Sequence, residues 1–220
     1  MKLFDVLLPS RCAVCGAGGD QLCAACRERL ARLGPPLCDR CGCPTAWPVS
    51  RCRECSGRRL AFASARAAVA YDDEVRRLVR AWKERGQRRI AADAAAVVAE
   101  TLAPPRVEAL TFVPADRARG LERGHQPAQR LARELGLRWE LPVLSLLRRT
   151  RPVPRQRGQT LVDRRRNVAG AFAPASEAPQ VVALVDDVYT SGATVAAAAS
   201  ALRKAGARRV EVVTFARVVR

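Results

Sequence analysis

All nine cysteines of this 220-residue chain fall within its first 55 positions, and eight of them form four C-x-x-C pairs: Cys12/Cys15, Cys23/Cys26, Cys38/Cys41 and Cys52/Cys55. Such a turn aims two thiolates at one point, and two turns complete the tetrahedral shell of a structural zinc ion, so the spacing predicts two four-cysteine sites. Disulfides suit small exported domains, yet the opening MKLFDVLLP has one basic residue, an acid inside a short apolar run and no small-residue cleavage site. A redox C-x-x-C would sit in a βαβ frame, which these four copies lack. Two ways of sharing the ions are open. Cys12, Cys15, Cys23 and Cys26 bind one ion and Cys38, Cys41, Cys52 and Cys55 the other, or the knuckles interleave. Cys43, the ninth, is expected as a free thiol in a knuckle turn. With no open coordination position and no His or acid at ligand spacing, the ions should hold the fold and perform no chemistry. The segment is too short for a useful apolar core, so metal binding would supply its folding energy.

From about residue 60 the cysteines stop and an α/β rhythm begins, which divides the chain into a metal-binding module at 1–58 and a larger domain at 59–220. FASARAAVAY reads as a strand, DEVRRLVRAWKERG as an amphipathic helix with Val75, Leu78, Val79 and Trp82 on one face, and IAADAAAVVAETLA as a second helix closed by Pro104 and Pro105. VEALTFVP is a strand running into a loop and then the helix within HQPAQRLARELG. The stretch from Leu146 to Ala173 is expected to be irregular and carries eight arginines between Arg148 and Arg166. VVALV is a buried strand, SGATVAAAASALRKAG a helix, and RRVEVVTFARVV the last strand. Strands alternating with helices predict a parallel sheet covered on both faces.

The string VVALVDDVYTSGAT runs a buried strand into two acids and then into a hydroxyl-rich turn. In an open parallel sheet, ligands gather beyond the carboxyl ends of the strands. The turn opens the next helix, whose free backbone N–H groups form an anion site. Gly192 lets the backbone approach a ligand, Thr190, Ser191 and Thr194 offer hydroxyls to phosphate oxygens, and Asp186 and Asp187 can accept from sugar hydroxyls. The combination suits a sugar phosphate. Neither a P-loop nor a G-x-G-x-x-G string occurs, which weakens ATPase and dinucleotide readings.

This string resembles the 5-phosphoribosyl-1-diphosphate (PRPP) motif of type I phosphoribosyltransferases, with Tyr189 the one aromatic where an aliphatic residue is usual. Four C-x-x-C knuckles, Y-x3-VRRLVRAWKERG, VP followed by RGHQPAQRLA, RRRNVAGAF and the PRPP motif, in that order, resemble the ComF family along nearly the whole chain. The resemblance implies a type I phosphoribosyltransferase-like sheet joined to a small double zinc ribbon, PRPP with magnesium as ligand, and phosphoribosyl transfer to an unidentified acceptor. It implies that Asp186 and Asp187 meet the ribose hydroxyls, directly or through magnesium, and that Thr190, Ser191, Gly192, Ala193 and Thr194 cradle the 5-phosphate. It assigns the diphosphate to Pro114, Ala115, Asp116 and Arg117, with Arg119 and Arg123 nearby, and a mobile hood to the arginine-rich stretch. ComF proteins are associated with bacterial DNA uptake during natural transformation, so single-stranded DNA and DNA-uptake proteins enter as partners. Where the family commonly has R-G-F-N-Q, this chain has Arg123, Gly124, His125, Gln126 and Pro127. His125 therefore stands at the Phe position, open to a packing role or to proton transfer. Thr190 replaces the acid of hypoxanthine-guanine enzymes, and a chain opening Met1-Lys2 lacks the N-terminal cysteine of glutamine-dependent amidotransferases.

The formal net charge of +18 favours phosphate-rich ligands, and two zinc sites of four thiolates each would lower it only to about +14. Because Arg outnumbers Lys 36 to 3, basicity also reflects a biased arginine usage, which makes Lys83 conspicuous. Three functions are consistent with these features: transfer from PRPP to an acceptor, single-stranded DNA handling by ribbons and arginines, and PRPP or nucleotide sensing without turnover. The second would be phosphate-driven and salt-sensitive, since the aromatic residues number only ten. The absence of a membrane span in the sequence places the expected protein in the cytoplasm, away from membranes.

Overall fold

The computed structural model describes residues 10–84, 86–115, 125–151, 168 and 170–219. Its elements in chain order are α1 (Ala24–Arg29), β1 (Ser64–Ala70), α2 (Asp73–Glu84), α3 (Ile90–Thr101), β2 (Ala109–Phe112), α4 (Pro127–Trp139), β3 (Leu147–Arg149), β4 (Phe172–Pro174), β5 (Val181–Tyr189), α5 (Ala193–Lys204) and β6 (Arg209–Arg217). Four strands form one sheet in the order β1-β6-β5-β2, every neighbouring pair parallel. Among the described residues, no helix is long and apolar enough to cross a membrane.

Parallel strands are covered on both faces, so their side chains are apolar on both sides. Along β5, Ala183 and Val185 face one core with helices α2, α3 and α4, where Leu78, Trp82, Val98 and Leu131 are fully buried. Val182 and Leu184 face the other core, with Val195, Ala198 and Leu202 of α5. Helix α2 starts where Asp72 accepts from the Val75 N–H at 2.8 Å, a side-chain cap that satisfies one of the orphan donors of the first turn. Helix α4 begins with Pro127 at its first position and ends in a left-handed Glu140.

The cysteine module does not hang beside this sheet. Its first half, with Cys12, Val14, Leu22, Cys26 and Leu30, joins the core under α2, α3 and α4, while its second half, with Cys38, Cys41, Cys43 and Cys55, joins the core under α5. The module straddles the sheet, and the chain between its halves lies along the open edge of β1. Leu33 donates its N–H to Ala68 (2.9 Å), Ala70 donates to Ala31 (2.8 Å), and Ala65 donates to Arg40 (3.0 Å). An unpaired parallel edge is thereby covered, which removes an aggregation-prone row of backbone donors and acceptors. The cysteine segment, expected to lack a core of its own, shares two.

Two expectations about strands need correction. The acids do not stand past the end of β5: the strand continues through them, with Asp186 opposite Thr214 and Tyr189 opposite Arg217. The stretch from Leu146 to Ala173, read as irregular, has paired ends, because β3 and β4 form a two-stranded antiparallel sheet with Leu147 opposite Pro174 and Arg149 opposite Phe172. Strands of three residues show no alternation of their own, and their pairing joins segments far apart in the chain.

Gly42 makes the tightest seam between module and sheet. Its φ is +68°, and a Cβ there would lie 2.3 Å from the Ala65 carbonyl oxygen. Gly42→Ala combines a left-handed backbone with a backbone clash, and should lower stability by about 2–4 kcal/mol in chemical denaturation. Gly18→Ala, where a Cβ meets nothing within 4 Å, should change it by less than about 1 kcal/mol.

Candidate active site and zinc clusters

The four knuckles pair sequentially. The sulfurs of Cys12, Cys15, Cys23 and Cys26 lie within 4.8 Å of one another, as do those of Cys38, Cys41, Cys52 and Cys55. A tetrahedron with Zn–S bonds of about 2.3 Å sets its sulfurs about 3.8 Å apart. Cys15 and Cys23 are 3.7 Å apart, Cys38 and Cys55 3.6 Å, and Cys41 and Cys52 3.4 Å. Each donor set therefore fits a zinc ion. The Cys52 N–H also points at the Cys38 sulfur at 3.2 Å, which favours a thiolate. Burial would raise the Cys12 thiol, but backbone N–H groups of Cys23, Cys15 and Val14 outweigh it and bring the pKa down to about 6. Cys43 stands apart from both tetrads, buried, with its thiol 3.5 Å from Glu54 Oε1. Burial pushes its pKa up to about 11, the charge of Glu54 adding to the rise and that of Arg217 opposing it.

At the carboxyl end of the sheet, β2 ends at Phe112 opposite Val185, while β5 continues for four residues. Asp186 and Asp187 thus face a notch above the end of β2, at the kind of position where open α/β sheets take ligands. The two carboxyl groups lie close enough to interact directly, and both feel the charge of Lys83. Lys83, at the end of α2, reaches Asp187 with Nζ 2.5 Å from Oδ2; the side chains are 28% and 10% exposed. The lysine that stood out in the sequence has a specific partner. Each carboxylate also accepts a backbone N–H, Asp186 from Asp187 at 2.9 Å and Asp187 from Val188 at 2.8 Å.

Burial, and then the neighbouring Asp187 charge, push the Asp186 carboxyl up to about 8, against the pull of Lys83. Two acids at a strand end are thus a strained arrangement with spare affinity for a cation or a donor hydroxyl.

Beyond Tyr189 the chain turns through Thr190, Ser191 and Gly192 into α5. Thr190 is exposed, Ser191 and Ala193 are buried and Thr194 is half-buried. Gly192 caps the helix with φ +72°, and Ser191 Oγ accepts from the Ala193 N–H at 3.4 Å. Across the notch, Pro114 and Ala115 follow β2. Two residues that sequence reasoning missed hold them: Gln126 Oε1 accepts from the Ala115 N–H (3.4 Å), and Arg149 donates to the Pro114 carbonyl (3.3 Å). Neither is marked by a local pattern, because each contact joins separate segments of the chain. Asp116, Arg117, Arg119 and Arg123 lie outside the described residues, as do the arginines from Arg155 to Arg166 and Asn167. His125 is buried, and its Nε2–H donates to the Trp82 carbonyl at 2.9 Å, next to Lys83. That bond ties the loop before α4 to the end of α2 and fits the packing role.

Residues 3–56 match the family model of the double zinc ribbon domain, and residues 121–219 match that of the phosphoribosyl transferase domain. Competence protein F of Haemophilus influenzae is 28% identical over 208 residues, covering 89% of this chain and 90% of its own. Competence protein ComFC of Bacillus subtilis is 26% identical, covering 85% of this chain and 80% of its own. The chain thus carries a double zinc ribbon domain followed by a phosphoribosyl transferase domain, and is similar along most of its length to competence proteins. An orotate phosphoribosyltransferase structure from Aeropyrum pernix matches at 24% identity, covering 71% of this chain and 72% of its own, with a TM-score of 0.32.

Two measurements check this geometry. Elemental analysis should find two zinc ions per chain, one after Cys55→Ser, and still two after Cys43→Ser. The raised Asp186 carboxyl means that the folded state holds a proton that the unfolded chain releases near 3.8. Its stabilising contribution is complete below that value and is lost as pH rises through about 8. In magnesium-free buffer, Asp186→Asn should therefore be more stable than the parent, by a margin that widens from pH 6 to pH 8 and then levels off in denaturant titrations.

Proposed function

We propose that this protein binds PRPP with magnesium in the notch between β2 and β5 and transfers its phosphoribosyl group to an acceptor, in the cytoplasm and in the setting of DNA uptake. The observation that carries this reading is the juxtaposition of the Asp186/Asp187 pair with the turn opening α5 and with Pro114 and Ala115 across the notch. In this reading residues 1–58 form the structural ribbon module and 59–220 the domain that holds the ligand.

Asp186 and Asp187 accept from the ribose hydroxyls and hold magnesium; a pair of hard, partly buried carboxylates suits that ion. Bound magnesium would neutralise charge on the departing diphosphate. Thr190, Ser191 and Thr194 give hydroxyls, and the backbone at Gly192 and Ala193 gives N–H groups, to the 5-phosphate at the positive end of α5. Pro114 and Ala115 face the diphosphate, and the family resemblance assigns the same ligand to Asp116, Arg117, Arg119 and Arg123. As the bond from the anomeric carbon to diphosphate breaks, both electrons leave with diphosphate, and the acceptor's lone pair forms the new bond through an oxocarbenium-like state. Electrostatic stabilisation of the leaving group and exclusion of water carry the rate. Lys83 holds the Asp187 carboxylate in place at the mouth of the notch. The competence names of the relatives support the DNA-uptake setting and bring single-stranded DNA and uptake proteins in as partners.

Titration of the zinc-loaded protein with PRPP and magnesium should show binding, and Asp187→Asn should weaken it at least about tenfold. Incubation with candidate acceptors should release diphosphate. Binding without release from any acceptor would point to a PRPP sensor, and no binding at all would overturn the reading.

A further inference from the structure

The second zinc cluster lies against the back of the turn at residues 190–194. Arg217, the last residue of β6, has a side chain only 1% exposed. It donates Nη2 to Glu54 Oε2 at 2.7 Å and Nη1 to the Cys41 carbonyl, and its guanidinium lies 4.7 Å from the centre of the Tyr189 ring. Tyr189 precedes Thr190 directly. Its ring stands edge-on to Phe62, and its hydroxyl occupies the place of a Gly192 side chain: a Cβ there would lie 2.2 Å from Tyr189 Oη. Arg58 then reaches past Tyr189 and donates Nη2 to the Ser191 carbonyl at 2.6 Å.

All three ribbon groups in this set are placed by the knuckles. Cys41 is a ligand, and Glu54 sits inside the Cys52/Cys55 turn. Arg58 follows that turn, closed by the Ser56 N–H to Cys52 (2.8 Å) and the Arg58 N–H to Cys55 (3.2 Å). The first cluster packs on the opposite face of the sheet, in the other core. Arg58 joins the Glu54 carbonyl (3.3 Å) to the Ser191 carbonyl, and Arg217 joins Cys41 and Glu54 to the Tyr189 ring; a guanidinium holds its donors in a fixed planar fork, whereas the three donors of an ammonium share one freely rotating nitrogen.

We infer that the second zinc cluster is a positioning device for the phosphate turn: through Arg58, Glu54 and Arg217 it fixes Ser191, Tyr189 and Gly192, so affinity for a 5-phosphate group depends on a ribbon residue that does not touch the ligand. The ligand side of this inference rests on the proposed function; the mechanical side does not. Arg58 is a positioning residue, acting through the Ser191 carbonyl.

The test compares the zinc-loaded full chain with its Arg58→Met and Arg58→Lys variants by calorimetric titration with ribose 5-phosphate and, separately, with magnesium diphosphate. Hydrogen exchange at residues 190–194 is followed without ligand. Arg58→Met should weaken ribose 5-phosphate about tenfold or more while leaving diphosphate within about twofold, Arg58→Lys should recover part of the loss, and amide exchange in the turn should quicken. Arg217→Met should reproduce the faster exchange with zinc content unchanged. Ribose 5-phosphate affinity and turn exchange equal to those of the parent would overturn the inference, and so would equal weakening of both ligands, which marks a general loss of structure. If the parent binds neither ligand, the proposed function fails, and the exchange rates alone still decide whether the ribbon holds the turn.

Discussion

Eight cysteine sulfurs, gathered in two tetrads that fit zinc, join this protein from both sides of its sheet. Cys26, Cys38 and Cys55 are fully buried, and they take part in the two cores alongside the leucines and valines of the helices. A segment with so few large apolar residues could not pack this way by burial alone; tetrahedral coordination fixes the backbone of each knuckle, and only then do Leu22, Leu30, Leu60 and Phe62 have a defined surface to join. The salt bridges across the same seam, Arg29 with Glu74 at 3.0 Å and Arg32 with Glu100 at 3.3 Å, are largely exposed and add little. Coordination chemistry and hydrophobic packing are therefore one cooperative unit, and metal loss should be felt in the larger domain as well as in the ribbon.

The acidic notch shows the opposite economy. Two adjacent carboxylates at a strand end raise the energy of the folded chain, and Lys83 relieves only one of them directly. An arrangement that costs stability at neutral pH persists where something else uses the charge, and a doubly charged cation bound with a polyhydroxyl ligand would do so. The surrounding structure is rigid where this requires it: β5 is paired on both sides up to Val185, and the turn beyond is held by Gly192 and by groups from the ribbon.

The parts of this molecule legible in the sequence are those whose chemistry is written in short, local spacing. Four C-x-x-C pairs state two tetrahedral ions, but their spacing leaves sequential and interleaved sharing open, and only the fold, which gathers the sulfurs in chain order, decides between them. The string from Val181 to Thr194 states a strand, an acidic pair and a helix start within one short run. Lys83 stands out as a rarity among arginines and as part of the family string, and its meaning comes from the carboxylate it meets. Hidden from the sequence were features made by distant segments: the pairing of β3 with β4, the ribbon's passage along β1, and the extension of β5 through its acids, which depends on β6 lying opposite. A reader of the sequence expects an appended module; the fold wraps that module around the sheet edge.

Arginine illustrates why the rest could not be read. In a chain with 36 of them, residue type carries almost no information. Burial separates them. Arg59 and Arg208 are exposed, whereas Arg217 is withdrawn from water, with a carboxylate, a carbonyl and an aromatic face around it. Burying a guanidinium is unfavourable unless each of these partners is present, so the site tolerates neither a lysine, which lacks the fork, nor the loss of Glu54, which would leave the charge uncompensated. The same constraint bears on Tyr189. An aliphatic residue there would leave the guanidinium without its aromatic face and leave space beside Gly192. The departure from the usual aliphatic residue at this position is therefore tied to Arg217 and, through it, to the ribbon: the turn at residues 190–194 and the second cysteine cluster are shaped to each other.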